Sequence, residues 1–342
     1  MDTHLHPYTR RVLIAAAILL ALVISVLLLR QIASVLLLFF AGILAGVFLD
    51  GLTSKLHDYS GIPRAWCLGI VVTLLLGFFV ASVWYAGPRI DGQIDQLGER
   101  IPAALDRLRS SIEQYEWSRR LLSGSPNSGQ AMSFVAGGVS SIVGGLTSVM
   151  VALIIGLYSA VNPDVYIKGG IRLLPKARRE RGRAVVHSLG QALRWWLVGR
   201  IASMGVVGVL TAIGLWIAGI PLAIVLGLIA ALLSFVPYIG PILSVIPAGL
   251  VAFAESPTKV VYVVILFAAV QFLESYVITP LIQERAVSLP PAVLIGFQVL
   301  MGIVAGALGV FMATPLAVAV IVLVQMLYIE DVLGEPVRTL GE

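Results

Sequence analysis

Glu274 is the acidic side chain that stands deepest inside an apolar run, and it is the first candidate for chemistry in this chain. The run covers residues 260–279, and Gln271 lies three residues before Glu274 on the same helical face. An ionisable group inside a membrane segment is costly and marks a functional hypothesis by default. We therefore predict that Glu274 lies on a solute pathway and carries a proton or coordinates a cation. The alternative is a position near the interface, or a cap on a neighbouring helix.

A proline-rich break is the second feature of this kind. Pro237, Tyr238, Gly240 and Pro241 interrupt the apolar stretch 222–253 near its middle. Proline removes backbone hydrogen bonds, and groups freed at membrane depth are tolerated only where protein or a wet cavity satisfies them. Secondary transporters bind substrates at such broken helices. A kink, or a re-entrant turn without a ligand, is the alternative.

A second break is predicted at Thr314 and Pro315, within the apolar stretch 292–327. Both stretches exceed the ~20 residues that cross a bilayer, so each is expected to contain two half-helices. The predicted substrate pathway comprises both breaks and the polar face between them: Pro237, Tyr238, Gly240, Pro241, Gln271, Glu274 and Pro315.

The elements that would carry these residues are membrane helices. Of 342 residues, 59% are hydrophobic and only 12% are charged, which excludes an ordinary soluble domain. We predict an all-α polytopic protein of about eight spans, with a tight hairpin at Arg30 and Gln31 between the first two. The predicted spans are 12–29, 31–49, 65–87, 133–158, 201–219, 222–253, 260–279 and 292–327.

The distribution of charge predicts the orientation. Residues 161–200 carry nine basic and two acidic side chains, whereas residues 88–122 carry six of each. Basic loops stay in the cytoplasm, so the first segment is predicted to be cytoplasmic and the second external, with both termini cytoplasmic. The predicted organisation divides the chain into 1–87, 88–130, 131–160, 161–200, a transport core at 201–329, and a tail at 330–342.

Each polar segment has a helical pattern. Apolar residues at three-and-four spacing from Ile90 to Tyr115 predict an external helical segment, which serves as an oligomerisation element or pore lid, or packs on its own subunit. The loop 123–130 returns the chain to the membrane. Residues 161–200 predict an amphipathic helix in the headgroup layer, for anchoring or for regulation by lipid. Its lipid-interface residues are Arg178, Arg179, Arg181, Arg183, Trp195 and Trp196.

The sequence lacks the characteristic motifs of several classes of protein. HExxH, GxSxG and GxxxxGK[ST] motifs are absent, and the lone cysteine, Cys67, excludes a disulfide framework. We expect no catalytic site, cofactor, metal site or nucleic-acid partner. Small residues at helix-contact spacing predict close packing: Gly42 and Gly46; Ser133, Gly137, Ser141 and Gly145; Gly302 and Gly306.

Taken together, these motifs resemble the autoinducer-2 exporter family, also called PerM-type permeases. The resemblance covers residues 12 to 327 and is most specific in the second half. It rests there on Phe235 to Pro241, Ile246-Pro247, Gln271, Glu274, Pro280, Gly302, Gly306, Gly309, Ala313 and Pro315. It rests earlier on Gly61-Ile62-Pro63-Arg64, Tyr158, Pro163, Tyr166, Leu173-Leu174-Pro175, Arg179, Leu189 and Gly190.

The resemblance implies a multi-pass transporter of the bacterial inner membrane, assembled as a homo-oligomer with five subunits as a candidate number. Members are associated with export of the quorum-sensing signal autoinducer-2, and some with exchange of sodium or lithium for protons. This chain departs from the family at Pro290, where many relatives have histidine before Pro291, and at Asp50-Gly51, where relatives often have proline.

Three hypotheses follow for the function. The first is export of a small polar solute past the break at Pro237 to Pro241. The second is cation–proton antiport with Glu274 as the exchanging carboxylate. The third is a non-transporting membrane scaffold whose external helices dock partners.

Overall fold

The computed structural model describes residues 7–77, 148–280 and 290–335, together with positions 80, 81, 84 and 96; for residues 7–30 it describes the backbone alone. Within these ranges every regular element is a helix, which confirms the all-α prediction. The predicted external helical segment, the loop 123–130 and the small residues from Ser133 to Gly145 lie outside the described residues.

The first helix, α1, runs without interruption from Pro7 to Ser60. The predicted hairpin at Arg30 and Gln31 was therefore wrong. Both residues are good helix formers, and no proline or glycine stands beside them to stop the helix. The helix ends at Gly61, whose φ of +66° a residue with a side chain rarely adopts. After Pro63 the chain continues as α2, Arg64–Gly77.

Helix α3, Ser148–Val161, packs closely against α1 through small residues. A Cβ on Gly42 would lie 2.6 Å from Cβ of Ile155, and one on Gly46 would lie 2.9 Å from Cβ of Ser159. The contacts advance together along both chains, so the two helices run in the same direction. The predicted packing role of Gly42 and Gly46 agrees with this contact.

Helix α4, Pro163–Arg172, is bent by 85° from α3 at Asn162. Helix α5 then runs from Arg179 to Ile217. The sequence predicted an amphipathic helix ending near Arg200 and a separate span, whereas α5 is one 39-residue helix. No proline interrupts it, and its apolar stripe, including Val185 and Leu193, packs in a core with Leu44 of α1 and Val322 of the last helix.

Helices α6, Ala223–Leu233, and α7, Ile239–Glu255, flank the predicted break. Their buried faces share one core, with Leu226 of α6 and Val251 of α7 in the same cluster. The chain therefore turns back between them as a helical hairpin. We call residues 223–255 hairpin A and residues 234–238 its tip.

Both ends of hairpin A lie on one side of the molecule. Nζ of Lys259, which follows the hairpin, donates a hydrogen bond of 2.7 Å to the carbonyl of Gly219, which precedes it. Helix α6 is also fitted tightly against α5, because a Cβ on Gly227 would lie 2.6 Å from Cβ of Ala212. Helix α8, Pro257–Leu273, leads back from this side and continues as a π-helical turn, Glu274–Ile278.

Helix α9, Pro291–Val324, forms a second hairpin, which we call hairpin B. Gly306 has φ +63° and ψ −143°, a conformation open essentially to glycine alone. A Cβ on Gly309 would overlap the carbonyl oxygen of Met301, eight residues earlier, so the chain turns back at Gly306. Residues 291–305 and 307–324 are its two arms, and a π-helical turn, Gln325–Glu330, follows.

The predicted break at Thr314 and Pro315 was therefore misplaced. Pro315 lies inside the second arm of hairpin B, which stays helical through it. A proline can be tolerated in a helix when surrounding protein accommodates the freed carbonyl, and Pro315 is fully buried in such a position. The reversal occurs at Gly306 because a sharp turn needs a positive φ, which proline cannot adopt.

By length and composition, four described helices could cross a membrane: Gln31–Ser60, Lys176–Ile217, Pro257–Ile278 and Pro291–Glu330. The bent pair of α3 and α4 would make a fifth. The last of the four is folded back at Gly306, so its length does not amount to one straight crossing. The predicted spans 65–87 and 133–158 extend beyond the described residues.

Candidate functional site

A buried ion pair joins α5 to the π-helical turn after α8. Nη1 of Arg200 lies 3.0 Å from Oε1 of Glu274, and the two residues are only 3% and 6% exposed. Charged groups are almost never buried unless they are paired, because each would otherwise lose its hydration without compensation. The other polar groups nearby are arranged around this ion pair.

Gln271 completes the partners of the carboxylate. Its Nε2 donates to Oε2 of Glu274 at 2.8 Å and lies 3.2 Å from Oγ of Ser275. The predicted shared face of Gln271 and Glu274 thus brings the two side chains into direct contact. Each carboxylate oxygen thus accepts one hydrogen bond from a side chain.

The tip of hairpin A is held by two side chains from other helices. Nε of Arg200 donates to the carbonyl of Phe235 at 3.1 Å, and Nε2 of Gln298 donates to the carbonyl of Pro237 at 3.0 Å. Carbonyls at a helix end have lost their intrahelical donors and need another partner when buried. Arg200 therefore connects the ion pair to the tip, and Gln298 connects hairpin B to it.

Aromatic packing fixes the tip from its apolar side. The ring of Phe235 stacks on Phe311 of hairpin B with 4.0 Å between centroids, and it meets Trp196 of α5 edge-on at 5.6 Å. A Cβ on Gly240 would overlap the carbonyl oxygen of Leu233, so only glycine allows the two arms to meet so closely. The two hairpins and α5 thus converge on this tip.

The predicted pathway residues fall within this convergence. Pro237 and Tyr238 belong to the tip, and Gly240 and Pro241 begin α7 behind it. The face of Gln271 and Glu274 lies next to the tip through Arg200. Pro315 follows Thr314, whose Oγ1 lies 3.5 Å from Nε2 of Gln298.

The predicted lipid-interface residues lie in two kinds of environment. Arg178 and Arg183 are exposed. Arg179 donates to the carbonyls of Leu174 and Arg172 at the end of α4. The remaining three contact protein: Arg181 pairs with Glu330 and Asp331 and donates to the carbonyl of Met326, Trp195 lies under Nζ of Lys55, and Trp196 is buried.

Sequence reasoning missed Arg200 and Gln298, and it named Thr314 only as part of a predicted break. Arg200 was counted with the nine basic residues of the cytoplasmic segment, yet it is buried and paired. Its position offered a signal, because no other charged residue stands between Arg194 and Glu255. A buried carboxylate also requires a counter-charge, and an isolated arginine in an apolar stretch can supply that charge.

A second charged cluster holds α1, α2 and α5 together. Oδ2 of Asp50 accepts a hydrogen bond of 2.7 Å from Nη2 of Arg194, and Oδ1 pairs with Arg64 at the start of α2. Gly51 beside it gives Arg194 room, since a Cβ there would lie 3.0 Å from that side chain. The departure from the family pattern at Asp50-Gly51 therefore has a structural use in this chain.

Neither cluster has the composition of a metal centre. Among the described residues, no group of three or more His, Cys, Asp or Glu side chains is close enough to hold a metal ion. Arg200 and Glu274 cancel in charge, so the polar centre between the hairpins is neutral overall.

The sequence profile of the AI-2E family transporter matches residues 13–329 of this chain. The chain belongs to the AI-2E transporter family. The match covers both hairpins and the ion pair, and it confirms the resemblance inferred from the sequence motifs.

Individual relatives of this AI-2E family member are similar along most of their length. YrrI of Bacillus subtilis is 25% identical over 293 residues, which cover 81% of this chain and 83% of that protein. YueF of the same organism is 26% identical over 299 residues, covering 81% of each chain. MT0215 of Mycobacterium tuberculosis is 29% identical over 293 residues, covering 75% of this chain and 74% of that protein. The names of all three carry a provisional assignment as transport proteins.

Proposed function

We propose that this AI-2E family transporter exports a small polar solute, with an autoinducer-2-like signal as the candidate that the family suggests. The observation that carries the proposal is the neutral polar centre formed by Arg200, Glu274 and Gln271 beside the tip of hairpin A. Placing hydrogen-bonding groups in a membrane interior costs free energy, and transporters keep such groups where a polar solute must pass.

The composition of the centre favours an uncharged solute over a free ion. Its charges cancel, and its groups include both donors and acceptors: the guanidinium of Arg200, the amide of Gln298 and the hydroxyl of Thr314 lie within the same convergence. A hydroxyl-bearing solute can exchange hydrogen bonds with such groups without leaving a net buried charge.

Cation–proton antiport through Glu274 is the competing function. A cation at this carboxylate would have to replace Arg200, whose guanidinium already occupies Oε1. The carbonyls of Phe235 and Pro237 are likewise taken by side-chain donors. A neutral solute needs only to exchange hydrogen bonds with these groups and leaves no charge unpaired, and we therefore rank its export above antiport and above a scaffold without transport.

We also propose a bacterial inner-membrane location with the C-terminus cytoplasmic, and assembly as a homo-oligomer of five subunits. The predicted cytoplasmic N-terminus depended on a hairpin at Arg30 and Gln31, which the uninterrupted helix α1 does not have. Broad apolar surfaces support a lipid and subunit environment, since Leu36, Phe39 and Ile43 of α1 are all about half exposed in the single chain. A soluble monomer would rarely present such a face.

A transport panel in proteoliposomes tests the proposed function. Purified protein is reconstituted, and the flux of labelled autoinducer-2, a labelled small polyol, sodium and lithium is measured with and without a proton gradient. We expect autoinducer-2 to cross without dependence on either cation.

Three results would contradict this proposal in different ways. Collapse of the proton gradient by sodium or lithium pulses would favour antiport. No flux of any solute from an intact oligomer would favour a scaffold. Autoinducer-2 impermeability together with flux of another neutral solute would remove the named signal and keep the solute class.

A further inference from the structure

Tyr238 holds the most unusual backbone conformation among the described residues that bear a side chain. Its φ of +64° and ψ of −56° belong to a strained γ-turn, in which the N–H of Ile239 donates to the carbonyl of Pro237 at 2.8 Å. Leu222 also has a positive φ, but in the ordinary left-handed region. Strained conformations of this kind persist only when surrounding contacts hold them, and they cluster at ligand clamps and switches.

Gln298 provides one of those contacts and is itself incompletely satisfied. Its Nε2 donates to the carbonyl of Pro237, which can only accept, so the orientation of the amide is determined. Its Oε1 is buried with no hydrogen-bond partner among the described residues, and the whole side chain is 0% exposed. A buried acceptor without a donor is destabilising and calls for an explanation.

The strained backbone of Tyr238 and the unpaired Oε1 of Gln298 both lie at the contact between the tip of hairpin A and hairpin B. The carbonyl of Pro237 is shared by the γ-turn and by Gln298. Breaking this contact releases strain at Tyr238 and frees Oε1 of Gln298. The arrangements with the contact formed and with the contact broken can therefore lie close in free energy.

We propose that Gln298 is a positioning residue that latches hairpin B to the strained tip, and that release of this latch opens the polar centre around Arg200. The inference rests on the proposed function, because the opening gives a solute access to the centre. Gln298 acts here through Pro237 and Tyr238. In the latched state the tip seals the Arg200–Glu274 pair from water; in the released state the γ-turn relaxes and the pair is exposed.

Ser203 offers a reporter for this opening. It lies one helical turn beyond Arg200 on α5, is 0% exposed, and its Oγ has no hydrogen-bond partner among the described residues. Ser203→Cys is therefore nearly isosteric. Cys67 of α2 is also 0% exposed and lies in a different part of the chain, so it reports global unfolding in the same molecule.

The experiment measures the rate at which N-ethylmaleimide modifies each cysteine in proteoliposomes containing the full chain, resolved by mass spectrometry of peptides. Gln298→Met keeps the side-chain length and removes the donor together with the unpaired Oε1. If the bond to Pro237 is what holds the tip, its loss raises the labelling rate at position 203 by up to about tenfold, the most that one net hydrogen bond contributes, and leaves Cys67 unchanged. An unchanged rate at position 203, or equal increases at both cysteines, would overturn the proposal.

A second pair of variants tests the strain directly. Tyr238→Ala and Tyr238→Gly both remove the ring, but only glycine adopts the positive φ without cost. If strain drives release, labelling at position 203 is slower in Tyr238→Gly than in Tyr238→Ala. Equal or faster labelling in the glycine variant would overturn the proposal. Because the readout needs no solute, these results stand whether or not autoinducer-2 is transported.

Discussion

At the residue scale, the pairing of Arg200 with Glu274 explains why either charge is tolerated. Each is almost fully buried, and each has hydrogen-bond partners besides the other: Phe235 for the arginine and Gln271 for the carboxylate. A buried pair of this kind contributes little net stability relative to apolar residues, yet removal of one partner leaves an uncompensated charge. The pair is therefore more readily explained by function than by stability.

Removal of one partner gives the first prediction. We expect Arg200→Gln to lower the free energy of unfolding by about 3 kcal/mol, because Glu274 is left without its counter-charge. Arg200→Gln combined with Glu274→Gln should lose less than the sum of the single losses. Denaturation in detergent micelles measures both. Arg178→Gln is the control, since Arg178 is exposed and should change stability by less than about 0.5 kcal/mol. Equal losses in Arg200→Gln and Arg178→Gln would contradict the pairing.

At the element scale, the two hairpins carry the site, and the sequence predicted them unequally. The break at 235–241 was predictable because Pro237, Gly240 and Pro241 are strong local signals. The turn at Gly306 was not, because its small-residue spacing is equally typical of helix packing and the neighbouring Thr314-Pro315 gave a stronger false signal. Arg200 was not recognised from the sequence because its role depends on Glu274, which lies 74 residues away in the chain.

The close fit of hairpin A against α5 gives the second prediction. Gly227→Ala would place a Cβ 2.6 Å from Cβ of Ala212, and we expect the free energy of unfolding to fall by about 1–3 kcal/mol. Gly249→Ala lies in the same hairpin with open space around it, and it should be neutral or stabilise by up to about 1 kcal/mol. Thermal unfolding of both variants measures this, and a harmless Gly227→Ala would contradict the contact.

The turn of hairpin B gives the third prediction. A Cβ on Gly306 meets nothing within 4 Å, so any penalty of Gly306→Ala comes from its positive φ alone. We expect a loss of about 1–3 kcal/mol in the free energy of unfolding. Gly296→Ala, in the first arm and equally open, serves as the matched control. If both substitutions have the same effect in detergent unfolding, the chain does not turn back at Gly306.

At the scale of the whole molecule, contacts between distant segments set the arrangement of the helices. Arg181 at the start of α5 pairs with Glu330 and Asp331 beyond hairpin B, and Lys259 joins the two sides of hairpin A at the opposite end of α5. These contacts place residues 181 and 259 at opposite ends of the helical core. Hydropathy could predict the apolar stretches, but not which of them turn back, because both kinds have the same composition.

This arrangement gives the fourth prediction, on topology. In a Cys67→Ser background, Lys176→Cys and Thr258→Cys place exposed thiols at the two ends of the core. We expect an impermeant thiol reagent applied outside intact cells to label position 258, and position 176 only after the membrane is opened. Labelling of both from the same side would contradict the hairpin topology. Labelling of position 176 alone from outside would reverse the predicted orientation.

The flux of autoinducer-2 through proteoliposomes containing Glu274→Gln tests the central claim most directly. The exposed Glu180→Gln carries the same change of charge far from the polar centre and is the matched control. If solute passes beside the Arg200–Glu274 pair, flux should fall at least about tenfold in Glu274→Gln. Removal of one partner from a buried ion pair costs more than about 1.4 kcal/mol, the free energy that corresponds to a factor of ten in rate. Flux in Glu180→Gln should match the unmodified protein. Equal flux in all three proteins, with the oligomers intact, would contradict the account.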